Sequence, residues 1–235
     1  MLDLDQLIKK KKITLVGKGL SDSDIDVLAE VLQKSDVVEE INLMCNNITL
    51  AEGPFTDALA KSKTLKVLSL YSNQIGALGA TRLAKALKVN QTLGQLFLEG
   101  NRLGDKRTQA LASALTVNSS LQCLILRGNG IGDEGVEGLA NSFLFNKSLR
   151  VVLLGENKLT NNGAQKLADA LEYNATIDQC LVDANNISPI MVLKIKTIIS
   201  SVSRKNPELK KKDELNTEKD QSITPAGSSP NYPRN

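Results

Sequence analysis

An asparagine recurs at Asn46, Asn73, Asn101, Asn129, Asn157 and Asn185, in steps of 27, 28, 28, 28 and 28 residues. No other feature of the chain constrains its fold as much. The same frame surrounds each one: in the stretch from Leu121 to Ser148, Leu121, Leu124, Leu126, Asn129 and Ile131 fall at spacings 0, 3, 5, 8 and 10. A fixed period of this length describes an array of one supersecondary unit, with the core a column rather than a ball. The alternation at Leu124 and Leu126 predicts a short strand with one buried face, and Leu139, Ala140 and Phe143 supply an apolar helix stripe. One strand and one helix cannot bury those faces alone. Units therefore stack into a curved solenoid, with a parallel sheet on the concave side and helices on the convex side. The asparagine stands where the chain leaves the strand, and its amide can donate to and accept from loop backbone groups that the sheet leaves unpaired.

The units can be followed along the chain. Residues 1–36 read as an N-terminal cap and a degenerate first repeat: Ile13, Leu15 and Leu20 keep the strand spacing, but Lys18 stands in the asparagine position, and Ser21 is placed to cap a helix carrying Asp24, Leu28 and Leu32. Residues 37–176 hold the regular repeats. The unit opening at Val38 is one residue short, and since proline is tolerated only in a first helical turn, its helix is expected to start just before Pro54. The next units open at Leu65, Leu93, Leu121 and Leu149. Their helices share leucines separated by alanines, as in Leu83 to Leu87, Leu111 to Leu115 and Leu167 to Leu171, which lets helix approach sheet closely. Residues 177–204 are expected to form the last repeat and a C-terminal cap helix opened by Ser188-Pro189. Residues 205–235, rich in Lys, Glu, Ser and Pro without apolar periodicity, are expected to be disordered.

With L-x-x-L-x-L-x-x-N in each unit, the chain is identified as an α/β leucine-rich repeat solenoid, a horseshoe of about seven repeats. The unit length, the I-G-D-E-G phrase at Ile131 to Gly135 and the L-A-x-A-L phrase of the helices resemble the ribonuclease-inhibitor class. That class is found in the repeat domains of NOD-like receptors and in Ran GTPase-activating proteins. The resemblance spans roughly residues 13–203 and implies a protein-protein interaction module or scaffold. The Ran regulators imply an alternative, a GTPase-activating or otherwise GTPase-regulating protein whose repeat surface positions the GTPase's own catalytic group. The chain departs from that family in having fewer units and a lysine-containing rather than acidic tail, and no functional residue of the family is carried over. A start methionine, a cap and a tail are expected of a self-standing chain rather than of a piece of an immune-type receptor.

Composition removes several classes of function. The 235 residues include no histidine, which excludes His-dependent catalysis, and no catalytic residues are expected: the chain is read as not an enzyme. Cys45, Cys123 and Cys180 occupy different repeat positions and form no C-x-x-C pair, so neither a disulfide framework nor a metal site is expected, and no cofactor. Residues 1–12 and 204–235 each carry a net charge of +2 and the body between them −1, which offers no basic face to nucleic acid. The opening MLDLDQLIKKKK places acids before a short apolar stretch and lysines after it, the reverse of a secretory signal. No apolar run approaches a membrane span. A cytoplasmic location is expected.

Several motifs yield to the repeat. Gly130 to Gly135 spells G-x-G-x-x-G between a strand and a helix, the local form of a dinucleotide loop. Equivalent positions read Gly76-Ala77-Leu78-Gly79 and Gly104-Asp105-Lys106-Arg107, so these glycines serve a turn in every unit, and Asp133 and Glu134 put negative charge where a pyrophosphate would lie. Asn90, Asn118, Asn146 and Asn174 open in-register N-x-S/T triplets, read as helix C-caps able to take left-handed geometry rather than as glycan acceptors. Lys9 to Lys12 read as a solvated cap. Thr224-Pro225 and Ser229-Pro230 fit proline-directed phosphorylation in the tail.

The positions that the repeat leaves free carry the functional reading. In each strand the residues before, between and after the two core leucines point to the concave face. The middle one reads Thr14, Asn42, Ser69, Phe97, Ile125, Leu153 and Leu181, turning apolar halfway along. With strands about 4.8 Å apart, the last four make a ladder about 14 Å long. Val67, Tyr71, Cys123 and Val151 flank it, and Glu99, Arg127 and Asp183 form a charged edge. Such a row on an open surface resembles a docking patch. A protein partner of unknown identity is therefore expected to meet Val67, Tyr71, Phe97, Glu99, Ile125, Arg127, Val151, Leu153, Leu181 and Asp183, and weak self-association through the same patch is a further expectation.

Overall fold

Each repeat contributes one short strand, and all of them join a single parallel sheet. In the computed structural model, which describes residues 2–205, these are β1 (Lys12–Thr14), β2 (Glu40–Asn42), β3 (Val67–Ser69), β4 (Gln95–Phe97), β5 (Cys123–Ile125), β6 (Val151–Leu153) and β7 (Gln179–Leu181). They pair in chain order, each to the next. The register is constant: Phe97 stands opposite Ile125, Ile125 opposite Leu153, and Leu153 opposite Leu181. Behind the sheet lie α1 (Leu4–Leu7), α2 (Asp26–Lys34), α3 (Phe55–Lys61), α4 (Ala77–Val89), α5 (Gly104–Leu115), α6 (Asp133–Phe143), α7 (Asn161–Tyr173) and α8 (Pro189–Lys205). We number the units one to seven by their strands. The chain folds as a leucine-rich repeat solenoid.

The curvature follows from two spacings. Paired strands stand about 4.8 Å apart, whereas packed helices need about 8–10 Å, so the array bends with its strands inside. The column between the layers is filled by strand leucines facing helix leucines and alanines: Leu68, Leu96, Leu98, Leu126, Leu154, Leu83, Leu139 and Leu167 are all fully buried. At the far end α8 opens with Pro189 in its first turn and closes the column with the buried Ile195. Among the described residues no helix is long and apolar enough to cross a membrane. The tail expected to be disordered, with its two proline-directed sites, lies outside the described residues except for Lys205 at the end of α8.

Three local expectations are corrected. Ser21 does not cap α2: a 3-10 turn, Ser23–Ile25, comes first, and the Ser21 hydroxyl and N–H both donate to Asp24, half of a capping box. The helix of the short unit starts just after Pro54 rather than just before it, with Pro54 as its N-cap and Phe55 as its first residue. Asn90 and Asn174 do end helices, but in extended rather than left-handed geometry, with φ of −65° and −83°. Their side chains explain why. Asn90 Nδ2 donates to the Leu59 and Ser62 carbonyls of the preceding unit at 2.7 and 3.3 Å, and its Oδ1 accepts the Leu93 N–H at 2.7 Å. Asn118, Asn146 and Asn174 repeat this pattern from buried positions. The triplets are a second asparagine ladder that ties each helix end to the unit before it.

Candidate docking face

The asparagines at the strand exits fix the geometry on which the concave face rests. Asn129 is 1% exposed. Its Nδ2 donates to the Leu98 and Leu126 carbonyls at 2.9 and 3.0 Å, and its Oδ1 accepts the N–H groups of Asn101 and Leu103 at 2.9 and 3.3 Å. One amide thus satisfies backbone from two units, where the turn leaves groups that no strand can reach. Asn46, Asn73, Asn101 and Asn157 are also buried and donate across the same interface. Asn185, half-buried in the last unit, accepts among the described residues only the Leu159 N–H, at 3.0 Å.

Because these turns hold every strand at the same angle, the odd positions of the strands line up on the concave side. Phe97 and Leu153 are half-buried there, and Leu181 is 37% exposed at the open end. Ile125 departs from the expectation of an exposed ladder: it is 4% exposed, yet lies outside the main core. Flanked in register by Phe97 and Leu153 on a surface that curves inward, it is covered by its own neighbours. The accessible anchors are therefore Phe97, Leu153 and Leu181, with Ile125 as their floor. Val67, Cys123 and Val151 are half-buried in the adjacent column, and Tyr71 stands exposed toward the array's polar half.

The charged edge is an organised group. Arg127 Nη2 reaches Glu156 Oε1 at 2.8 Å and its Nη1 reaches Asp183 Oδ2 at 3.1 Å. Glu156 was not singled out from the sequence, because it occupies the position after the alternating ones. Glu99, the next acid along the edge, is raised above its ordinary value by burial, with a hydrogen bond to its own backbone N–H and the Arg127 charge only partly offsetting this. The Cys123 thiol is pushed up to about 12 by burial and by the Glu99 charge, so it stays protonated and unreactive. Cys180, buried on the core side, is pushed up to about 12 by burial. Among the described residues no cluster of His, Cys, Asp and Glu could hold a metal ion.

The sequence reading overlooked two further sets of residues. Val89, Val117, Phe145 and Tyr173, each one residue before a second-ladder position, form an in-register apolar row at the helix carboxyl ends, 62% to 78% exposed. Asp22, Asp105 and Asp133 bridge to the next unit at the helix amino ends. The signal for both was the period itself, read down one column at a time. The second column explains the dinucleotide-like glycines: Asp105 Oδ1 accepts the Gly132 and Gly135 N–H groups at 2.6 and 3.0 Å, where a phosphate oxygen would otherwise sit.

A family profile described as Leucine Rich repeat matches residues 61–84, 117–140 and 145–168. No curated protein sequence matches the chain. Among solved structures, the tropomodulin C-terminal domain of Caenorhabditis elegans is similar with a TM-score of 0.58 and 16% identity, over 68% of this chain and 96% of that one. The structure titled Leiomodin-1 Actin-Binding Site 2 aligns with a TM-score of 0.48 and 18% identity, over 62% of this chain and 82% of that one. The repeat profile, the seven-stranded parallel sheet and the alternation of strand with helix agree: this chain carries leucine-rich repeats and has their solenoid fold.

Proposed function

We propose that the chain is a protein-protein interaction module, without catalytic residues of its own, that docks a partner protein on the concave face of β4 to β7. The observation that carries this reading is the in-register row of Phe97, Ile125, Leu153 and Leu181, with Val67, Tyr71 and Val151 beside it and the Glu99, Arg127 and Asp183 edge along it. Residues so placed supply what interfaces use, a few apolar anchors with a polar rim. Residues 1–36 and 177–204 act as caps of this module, the partner is a protein rather than nucleic acid, and the setting is the cytoplasm. Weak self-association through the same row is part of the reading.

The exposed row of Val89, Val117, Phe145 and Tyr173 favours a second reading, in which the partner grips the helix-end edge. Units there are spaced by helix packing rather than by strand pairing, so that row is less continuous than the concave one. The resemblance to the ribonuclease-inhibitor class and its GTPase-activating members rests on repeat phrases alone, and a single-turnover GTP hydrolysis assay with a panel of small GTPases separates that role. The deciding experiment is partner capture by Phe97→Ser with Leu153→Asp, by Phe145→Ser with Tyr173→Ser, and by charge reversal of the convex Lys85 and Asp169. Loss only with the first pair is expected, with native circular dichroism throughout. Loss only with the second pair would transfer the function to the edge.

A further inference from the structure

The carboxylate column at the helix amino ends is broken between units two and three and again between units three and four, where the composition is unusual. Asp22 accepts the N–H groups of Thr49, Leu50 and Ala51 at 2.8 to 3.0 Å. Asp105 serves Gly132 and Gly135 in the same way, and Asp133 takes the Thr160 N–H at 2.8 Å and its hydroxyl at 2.5 Å. Asn161 repeats the contact to the Ser188 N–H at 2.8 Å. Each acid of the regular units lies against a glycine of the next unit: a Cβ on Gly135 would stand 2.6 Å from Asp105 Oδ1, and one on Gly163 would collide with the Asp133 carboxylate. Between units two and three the Thr49 carbonyl oxygen fills this place, against Gly79.

Between units three and four both members change. Ala77 stands in the acid's position and Arg107 in the glycine's. Compared with the interface of units four and five, this one loses a negative charge and gains a positive one. The Gly104 N–H turns to the Asn129 carbonyl at 2.9 Å, and α5 begins with no side-chain cap. An open cleft of about 540 Å³ lies here, lined by Ser72, Gln74, Gly76, Arg102 and Arg107 among others, and by no acid among the described residues. Arg107 Nη1 donates to the Leu103 carbonyl at 3.0 Å, and among the described residues its Nε is buried without an acceptor. The guanidinium fork matches the oxygens of an oxyanion.

We propose that this cleft binds a phosphoryl group, held by Arg107 and Arg102 beside the interface whose equivalents between units four and five and between units five and six hold a carboxylate. The reading is independent of the concave face. The chain's own repeats supply the comparison: Asp105 and Asp133 face glycines of the next unit, the Thr49 carbonyl faces Gly79, and among the described residues an arginine stands in the glycine's position only between units three and four.

The test is a titration of the intact chain with inorganic phosphate and, separately, with O-phosphoserine, followed by amide chemical shifts against chloride at equal ionic strength. Saturable shifts at Gly76, Gly104 and Arg107 are expected with both, and the tighter ligand names the source, free ion or phosphorylated side chain. Arg107→Gln should weaken binding by about tenfold or more, the loss of one charge-assisted pair, while Arg82→Gln, outside the cleft, should not. Ala77→Asp restores the internal carboxylate, so it should abolish phosphate binding and raise the melting temperature, a result that does not depend on how Arg107 variants fold. Shifts reproduced by chloride alone, or phosphate binding that survives both Arg107→Gln and Ala77→Asp, would overturn the proposal.

Discussion

Replacing Asn129 with alanine measures what the strand-exit ladder contributes. The substitution removes the acceptor of the Asn101 and Leu103 N–H groups, at 2.9 and 3.3 Å, and one of the two ladder amides that donate to each of the Leu98 and Leu126 carbonyls. At 1% exposure the site lies away from bulk water. Each stranded buried N–H costs about 1–3 kcal/mol, so the two together cost about 2–6 kcal/mol. For a chain of this length about 3 kcal/mol lowers the melting temperature by roughly 6–12 °C. Asn185→Ala supplies the internal scale: half-buried and accepting one N–H, it should cost about 1 kcal/mol. Thermal and urea unfolding followed by circular dichroism read both. Because neighbouring units couple in a solenoid, loss at Asn129 should also broaden the transition. Equal shifts for the two variants, or a shift below about 1 kcal/mol for Asn129→Ala, would refute the reasoning.

Three other outcomes follow from single positions. Leu126→Ala, fully buried, should cost about 2–5 kcal/mol, whereas Arg127→Ala, one residue on with exposed ion pairs to Glu156 and Asp183, should cost less than about 1 kcal/mol; urea midpoints check the order. Glu99 has a raised folded-state pKa because it is buried, so its ionisation penalises the fold increasingly as pH rises from the unfolded value, and Glu99→Gln should raise the melting temperature at pH 7 but not at pH 4. Burial pushes Asp133 upward, but the Thr160 hydroxyl and the Thr160 and Gly163 N–H groups outweigh it and hold the acid below its ordinary 3.8. Its contribution is therefore complete above about pH 4 and lost as pH falls further, so the stability gap to Asp133→Ala should close in acid.

Much of the architecture was legible because translation leaves little freedom. Leu124 and Leu126 define the buried side of their strand, the repeat places every other strand beside it, and the sheet order follows. What one unit cannot reveal is how neighbours meet. Ile125 reads as an exposed anchor on a flat strand, but curvature draws Phe97 and Leu153 over it. Asn90 and Asn174 read as left-handed caps, the usual reason for asparagine after a helix; their real partners are carbonyls one unit back, and that long-range bond dictates extended backbone instead. The pairing of Asp105 with Gly135, and its inversion at Ala77 and Arg107, is written in the sequence, but only across two repeats: the acid makes sense once the glycine of the next unit is seen to make room for it. The concave docking residues were named by elimination, as those the core does not claim, which finds a face without naming its occupant.

The most direct test of the docking account places a photo-crosslinker, p-benzoylphenylalanine, at one exposed position on each face of the intact chain: Gln179 on the concave side of β7, Lys85 on the convex side of α4, and Val117 at the helix-end edge. After irradiation with the captured partner, the account predicts an adduct from Gln179 that disappears in the Phe97→Ser and Leu153→Asp background, and none from Lys85 or Val117. An adduct from Lys85 or Val117 with none from Gln179 would contradict it.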